Sequence, residues 1–345
     1  MSFIADFLAK HPTGAVKNAE GTPCVTSADV HAILQQILAG SGPALDVTAA
    51  DTVTDAHFQV PPAGTKPARK MDTSTTDELD LLAVWFTLVK VLFIAGRVRG
   101  IVALANLLEK VRAGRDLHLT AVRNEHAYFC CVAQTAAHVD ASRAEADIAA
   151  KRIVYMVGDS HSVPPGWQRV ETVGKTIWPK LVTGIKAWYL RPGCDFYPRL
   201  HFDNTVASIP DGSDVVFVIG EIDCREGILL CVEKLKYDSV DEGIAVSVDH
   251  YVNQLTSLVK KRNFNVLVHP VVPVLDVTRH LVAKFNACLA ARLARLPSSS
   301  RIRFLAAVQD KLLTPAGEFD LTYALDGTHM HPKYVHDVLA PAMAE

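Results

Sequence analysis

The sequence has almost no excess of charge of either sign. Its 35 Lys and Arg residues stand against 37 Asp and Glu residues, which gives a formal net charge of -2 at pH 7. Such a chain has no overall electrostatic field that would collect nucleic acid or an anionic lipid surface. We therefore predict no nucleic-acid partner.

Neither the cysteines nor the first residues of the sequence predict an exported protein. Its seven cysteines are odd in number and have no zinc-like spacing, so they predict neither a disulfide framework nor a metal site. The segment from Met1 to Asp6 shows no basic stretch followed by an apolar one, as a secretory signal would. We predict a cytoplasmic, reduced protein that needs no cofactor.

No apolar run is long enough to cross a bilayer. The most apolar segment, Leu81 to Ala95, is interrupted by Lys90 and is shorter than the roughly 20 residues that a spanning helix needs. Arg97 and Arg99 follow directly. The segment predicts a helix buried against other protein, and we expect no transmembrane segment.

The composition is that of a globular protein with one large or two ordinary domains. Hydrophobic residues make up 49% of the 345 residues and charged residues 21%. Residues 1–150 carry helical signals and no clear strand alternation, with Ser27 as the predicted N-cap of a first short helix. We expect an irregular arm over 43–76 and helices over 76–96, 100–113 and 120–150. This N-terminal helical region is a candidate lid, docking surface or dimer arm.

From Lys151 onward the pattern changes. Apolar, β-branched runs of strand length alternate with segments of helix length, which is typical of parallel strands covered on both faces. The predicted strands are 153–157, 214–219, 265–272 and 302–305, and the clearest helices are 247–262 and 278–296. The pattern predicts a second domain, 151–345, with a three-layer α/β architecture.

The first strand runs into Gly158, Asp159, Ser160 and His161. In an open α/β sheet, ligands bind at the carboxyl ends of the strands. A serine on a tight turn there can expose its hydroxyl as a nucleophile, with backbone N–H groups free to stabilise an oxyanion. The simpler interpretation is that Ser160 only caps the next helix.

A second motif lies near the end of the chain. Asp326 precedes His329 by three residues, in a loop ahead of the final helix. This spacing lets the carboxylate hold the imidazole while the other ring nitrogen faces a nucleophile, as in a catalytic triad. An ordinary surface loop is the alternative, and the strand ending in Gly-Asp-Ser makes it less attractive.

Together these motifs resemble the SGNH (GDSL-like) hydrolase superfamily. The resemblance covers 151–345 and also includes Val266 to Pro273 and the helix containing Phe285 and Asn286. It implies a three-layer, flavodoxin-like parallel sheet and esterase or acyl-transfer chemistry. By the same resemblance, Ser160 is the nucleophile, His329 the general base and Asp326 the residue that orients the base.

One block departs from the family. The family has Gly-x-Asn-Asp, with the asparagine amide donating to the oxyanion, where this chain has Gly220, Glu221, Ile222 and Asp223. Ile222 has no donor, and loss of one such donor costs about 10²- to 10³-fold in rate. We expect Arg225 to supply the missing donor. The variant block is similar to that of an SGNH-like subgroup associated with polysaccharide metabolism, which implies a carbohydrate ester as substrate.

The remaining candidates lie near these blocks. Two interpretations stay open for Glu221, Asp223 and Arg225, which either line the cleft or form an internal salt-bridge network. Gly193 is the candidate glycine of the oxyanion hole because it follows the apolar stretch 185–190, with Gly184 as the alternative. His161 is expected to pack beside the catalytic loop or contact substrate.

Three functions are compatible with these residues. The first is an ester hydrolase that works through an acyl-enzyme on a small-molecule or carbohydrate ester. The second is an O-acyltransferase, which uses the same triad with an alcohol in place of water. The third is a catalytically degenerate domain that serves as an interaction subunit, with a protein partner or a second copy bound through residues 1–150.

Overall fold

A computed structural model describes residues 14–39 and 74–345 of the chain. The chain forms two compact units, Met1–Glu145 and Ala146–Glu345. The predicted irregular arm over 43–76 falls almost entirely outside the described residues.

The first unit begins with a small antiparallel hairpin. Strand β1 (Ala15–Lys17) pairs with β2 (Pro23–Thr26), and helix α1 (Ser27–Leu38) follows without a loop. The N-cap is Thr26, one residue before the predicted Ser27, and it exchanges hydrogen bonds with Asp29 in a capping box. Strands of three and four residues are too short to show alternation, which explains why the sequence did not predict this hairpin.

Helices complete the first unit. They are α2 (Thr76–Ile94), α3 (Ile101–Arg112), α4 (Arg123–Ala136) and α5 (Ala141–Ala149), the last of which ends inside the second unit. The predicted helix over 120–150 is therefore two helices. Asp140 separates them and accepts a hydrogen bond from the Arg143 N–H, as a cap does.

Helix α2 contains the most apolar segment of the chain and is buried, as predicted. Trp85, Phe86 and Phe93 are fully inaccessible. Lys90 lies with its Nζ 4.6 Å from the centre of the Tyr128 ring, and burial lowers the pKa of its amine. Within the described ranges, none of the helices combines the length and the apolar character needed to traverse a membrane.

The second unit is built on a six-stranded, mostly parallel sheet. Its strands are β3 (Ile153–Gly158), β4 (Arg169–Val170), β5 (Lys175–Leu181), β6 (Asp214–Val218), β7 (Asn265–Val268) and β8 (Ile302–Phe304). They lie in the order β4-β5-β3-β6-β7-β8, with only β4 antiparallel to its neighbour. Numbered along the chain, the five parallel strands have the doubly wound order 2-1-3-4-5.

Helices cover both faces of this sheet, so the unit has three layers. They are α6 (Tyr197–Ala207), α7 (Ile228–Glu233), α8 (Val240–Arg262), α9 (Arg279–Leu293), α10 (Ala306–Lys311) and α11 (Ala340–Ala344). One core joins α6, α8 and α9 to the face bearing Val157 and Phe217, and the other joins α10 and α11 to the face bearing Met156 and Val216. The mixed α/β architecture predicted for this part of the chain is confirmed.

Candidate active site

The candidate site lies at the carboxyl edge of the sheet, where β3 adjoins β6. The strand order reverses between these two strands, and such a switch point opens the crevice in which doubly wound proteins bind ligands. Two glycines allow the strand ends to approach closely. A Cβ at Gly158 would collide with the carbonyl oxygen of Val218, and one at Gly220, where φ is +131°, would lie 2.7 Å from Val271.

Asp326 and His329 form the hydrogen-bonded pair that the sequence predicts. The Asp326 Oδ2 lies 2.8 Å from His329 Nδ1, while its Oδ1 accepts the backbone N–H groups of Thr328 and His329, each at 2.7 Å. Burial opposes the charge on this carboxyl group, but His329 and these N–H donors outweigh it and hold the pKa of Asp326 well below its usual range. The carboxylate therefore orients the imidazole.

The other nitrogen of the same imidazole is unpartnered. His329 Nε2 is buried and makes no hydrogen bond to any described residue. With Nδ1–H donated to Asp326, the Nε2 atom carries the lone pair and is able to accept a proton. This is the state that a general base requires.

Ser160 stands at the start of a short helical turn, Ser160–Ser162, directly after β3. Its side chain is half-buried, and its predicted partner, His329 Nε2, has no hydrogen bond within the described part of the chain. The predicted contact with His329 Nε2 is thus not formed here, although catalytic hydrogen bonds often close only when substrate is bound. That contact remains a prediction for the reacting complex.

His161 connects two loops, which we call the serine loop (159–162, after β3) and the histidine loop (326–329). Its Nδ1 lies 2.9 Å from Asp159 Oδ1 and its Nε2 lies 3.1 Å from the Thr328 carbonyl oxygen. The centres of the His161 and His329 rings are 5.2 Å apart. Because both ring nitrogens of His161 are engaged and the side chain is buried, the predicted substrate contact has no free nitrogen to use.

The charge state of His161 follows from its partners. Burial lowers the pKa of this imidazole, but Asp159 and Glu221 outweigh burial and raise it to about 9. Donor atoms of Asp159, His161 and Glu221 lie within 4.8 Å of one another, a spacing at which a metal ion can be held. A proton on His161 is shared with one of these carboxylates through the 2.9 Å contact to Asp159 Oδ1, while Asp159 Oδ2 and Glu221 Oε1 have no hydrogen-bond partner among the described residues.

Glu221 and Arg225 form an ion pair beyond the end of β6. Arg225 Nε lies 3.0 Å from Glu221 Oε1, and Arg225 Nη1 lies 3.6 Å from Glu226. The Glu221 side chain is buried, and burial raises its pKa against the opposing effect of His161 and Arg225. The Arg225 side chain is 40% exposed, so it pairs with Glu221 and still remains accessible at the end of β6.

Asp223 has a structural role that its sequence position did not reveal. It is buried, and its carboxyl oxygens accept the backbone N–H groups of Ala187 at 2.7 Å and Trp188 at 3.1 Å. Burial outweighs these bonds and raises the pKa of Asp223 to about 7. The carboxyl group thus joins the loop after β5 to the helical turn Asp223–Gly227, and it also lines the cavity between them.

A cavity of about 190 Å³ lies between that loop and that turn. Its lining is mainly aromatic and aliphatic, with Trp188, Tyr189, Ile228 and Tyr237, and its polar groups include Lys186, Asp223 and Ser247. The hydroxyl of Tyr237 is inaccessible to solvent and has no hydrogen-bond partner among the described residues. The cavity offers space for a small organic group beside the sheet edge.

The choice of Gly193 for the oxyanion hole depended on a strand that does not exist. The apolar stretch 185–190 contains a short helical turn, Ala187–Leu190, and the second parallel strand is β5. Gly184 follows the end of β5 by three residues, and β5 pairs with β3. Gly184 is therefore the glycine that follows the second parallel strand, which is the position expected for the candidate. Gly193 lies farther along, in a turn closed by the Cys194 N–H and the Arg191 carbonyl.

One buried histidine at this edge was missed. His269 directly follows β7, and its Nδ1 lies 2.6 Å from the Pro270 carbonyl oxygen while Nε2 has no partner among the described residues. Burial lowers its pKa to about 4, so the ring is neutral. The sequence signal was its place at the end of an apolar run, which was hidden because the predicted strand continued to residue 272.

Comparison with known proteins adds no family. None of the protein-family models matches the chain, and a search among curated proteins returns no significant relative.

Proposed function

We propose that the second unit is a serine ester hydrolase of the SGNH type, with Ser160, His329 and Asp326 as its triad. The observation that carries the proposal is the Asp326–His329 pair, whose free, buried Nε2 belongs to a loop bonded to the serine loop at the switch point of the sheet. The strand order 2-1-3-4-5 agrees with the flavodoxin-like sheet that the resemblance implies.

In the proposed reaction, Ser160 Oγ attacks the acyl carbon while its proton moves to His329 Nε2. The backbone N–H groups of Ser160 and Gly184 stabilise the negative charge on the tetrahedral intermediate, and Arg225 supplies the donor that the missing amide at position 222 would provide. His329 then gives its proton to the leaving alcohol, and an acyl-enzyme forms on Ser160. Water, activated by the same imidazole, releases the acid and restores the hydroxyl.

For the substrate we propose a carbohydrate or small-molecule ester. The cavity beside Trp188 and Tyr237 lies at the same sheet edge and has room for an acyl group or part of a sugar. An O-acyltransferase would use the same residues with an alcohol in place of water, so the acceptor has to be determined by product analysis.

The first experiment is labelling of the purified protein with a fluorophosphonate probe, followed by mass spectrometry of the peptides. Wild-type protein should carry one adduct on Ser160, and Ser160→Ala and His329→Gln should carry none. Ser162→Ala is the matched control, because Ser162 lies in the same turn and its hydroxyl donates to the Asp159 carbonyl. An unlabelled wild type, or label on another serine, would reject the proposed function.

A non-catalytic interaction subunit is the second candidate. It is favoured by Ile222 in place of a donor and by the absence of a hydrogen bond between Ser160 and His329. This function requires no reactivity at Ser160, so the same labelling experiment separates the two candidates.

A further inference from the structure

The peptide unit of Thr328 is held from two sides. Its N–H donates to Asp326 Oδ1 at 2.7 Å, and its carbonyl oxygen receives His161 Nε2 at 3.1 Å. Thr328 immediately precedes His329, so these two bonds fix the backbone from which the imidazole projects. The second of them connects residues 167 positions apart in the chain.

His161 donates in both of its side-chain bonds when each ring nitrogen carries a hydrogen. A carbonyl oxygen accepts and never donates, so Nε2 must carry a hydrogen. The Nδ1 atom faces a carboxylate oxygen at 2.9 Å, which is a normal distance for a charge-assisted N–H donor. A cation between these two acceptors is the arrangement that satisfies both.

Negative groups surround this cation from more than one element. Asp159 faces it from its own loop, and Glu221, with Arg225 behind it, faces it from the end of β6. The neighbouring imidazoles are His329 on the final loop, with its ring centre 5.2 Å away, and His269 at the end of β7, whose pKa is lowered by burial. Two carboxylates offset the charge of His161, which lets an imidazolium persist in a buried place.

We infer that His161, as an imidazolium between Asp159 and the Thr328 carbonyl, is the positioning residue that fixes the His329 loop against the Ser160 loop. The inference rests on the proposed function, since it assigns a role in placing the general base. His161 does not itself touch the reacting atoms in this assignment. It holds the peptide bond that carries His329.

Two substitutions each remove one of the two side-chain hydrogen bonds of His161 and keep the other. The amide nitrogen of Gln reaches the place of Nε2, so His161→Gln keeps a donor for Thr328 and loses the one for Asp159. The amide nitrogen of Asn reaches the place of Nδ1, so His161→Asn keeps the donor for Asp159 and leaves the Thr328 carbonyl unpaired. Both variants lose the charge, and each serves as the other's control.

The first measurement is hydrogen exchange of the peptide covering 325–331, read by mass spectrometry. Exchange in His161→Asn should be faster than in His161→Gln by about tenfold, because only the former releases the Thr328 carbonyl. Equal exchange in the two variants would overturn the inference. This measurement does not depend on whether Ser160 reacts.

The second measurement is the rate of fluorophosphonate labelling. His161→Asn should be slower than His161→Gln by about tenfold or more at neutral pH, with equal melting temperatures. Equal rates in the two variants would refute the positioning role, whereas an unlabelled wild type would refute the proposed function.

Discussion

Replacement of Asp326 by Asn tests the triad most directly. The asparagine oxygen can still accept the N–H groups of Thr328 and His329, which lie 2.7 Å from Oδ1 in the wild type. Its NH₂ group then takes the place of Oδ2, which lies 2.8 Å from His329 Nδ1. A donor in that place favours the tautomer in which Nδ1 accepts and Nε2 carries the hydrogen, so Nε2 can no longer take the proton of Ser160.

The expected effect is large on reactivity and small on folding. A wrong histidine tautomer in a serine triad lowers the rate about 10⁴-fold, which corresponds to about 5.5 kcal/mol in the activation barrier. Two backbone donors lose a charged acceptor but keep a neutral one, so the free energy of unfolding should fall by about 2 kcal/mol. This loss of stability is small enough for the variant to remain folded, so its reactivity can be measured.

The assay is the second-order rate of fluorophosphonate labelling at pH 7, with urea unfolding alongside. Asp320→Asn is the matched control, since Asp320 also accepts a backbone N–H, from Thr322 at 2.9 Å, but makes no hydrogen bond to a histidine. It should label at the wild-type rate. If Asp326→Asn labels within tenfold of the wild type, the tautomer argument fails and Asp326 is only a loop cap.

The pH dependence of stability gives an independent check on the same carboxylate. Its pKa is lower in the fold than in the unfolded chain, so its contribution is complete above the unfolded value of about 4 and is lost as the pH falls toward the folded value. Asp326→Asn should therefore lose less stability on acidification below pH 4 than the wild type does. Parallel curves for the two proteins would contradict the low pKa.

Four further outcomes are expected. Arg225→Ala should slow labelling about 10²-fold, and unchanged labelling would reject Arg225 as oxyanion donor. The same variant should lower the free energy of unfolding by about 1 to 3 kcal/mol, because the buried Glu221 carboxylate loses its ion pair. Gly220→Ala should lower the free energy of unfolding in urea by about 3 kcal/mol, and Gly212→Ala by only about 1 kcal/mol, since both have positive φ but only Gly220 is crowded. Asp147→Asn should cost about 3 kcal/mol in the same assay, because this buried carboxylate pairs with two arginines; a loss below 1 kcal/mol would contradict this. Asp223→Asn should remove a decline in wild-type stability between about pH 4 and pH 7, which arises because the raised pKa makes the neutral acid the favoured form in the fold; an unchanged slope would contradict that pKa.

Local patterns predicted the parts of the site that are local in the chain. The Asp326–His329 pair spans three residues, and β3 and β6 are continuous apolar runs, so spacing and hydropathy sufficed for them. Strand β5 was missed because Lys175, Thr176 and Lys180 interrupt its apolar pattern. That omission is why the sequence favoured Gly193, after 185–190, over Gly184 as the candidate glycine.

Contacts between distant segments were beyond the reach of the sequence. The bond from His161 to Thr328 and the bonds from Asp223 to Ala187 and Trp188 each join separate loops at the sheet edge. Nothing in the spacing of these residues indicates which backbone group a side chain will meet. The short hairpin before α1 was missed for a different reason, because its strands are too short to show the alternation of apolar and polar residues that indicates a strand.

The buried polar groups at the sheet edge explain why the missing contact between Ser160 and His329 is compatible with catalysis. Asp223 fastens the loop after β5 to the turn after β6, and His161 fastens the loop after β3 to the final loop. These bonds leave His329 Nε2 as a buried acceptor without a donor, which costs about 1 to 3 kcal/mol. A rigid surrounding structure can hold His329 with its Nε2 unpaired, and a hydroxyl that approaches and donates to Nε2 removes this energetic cost. The Ser160 hydroxyl, half-buried in the loop that His161 secures, is the donor we expect to do so when substrate closes the site.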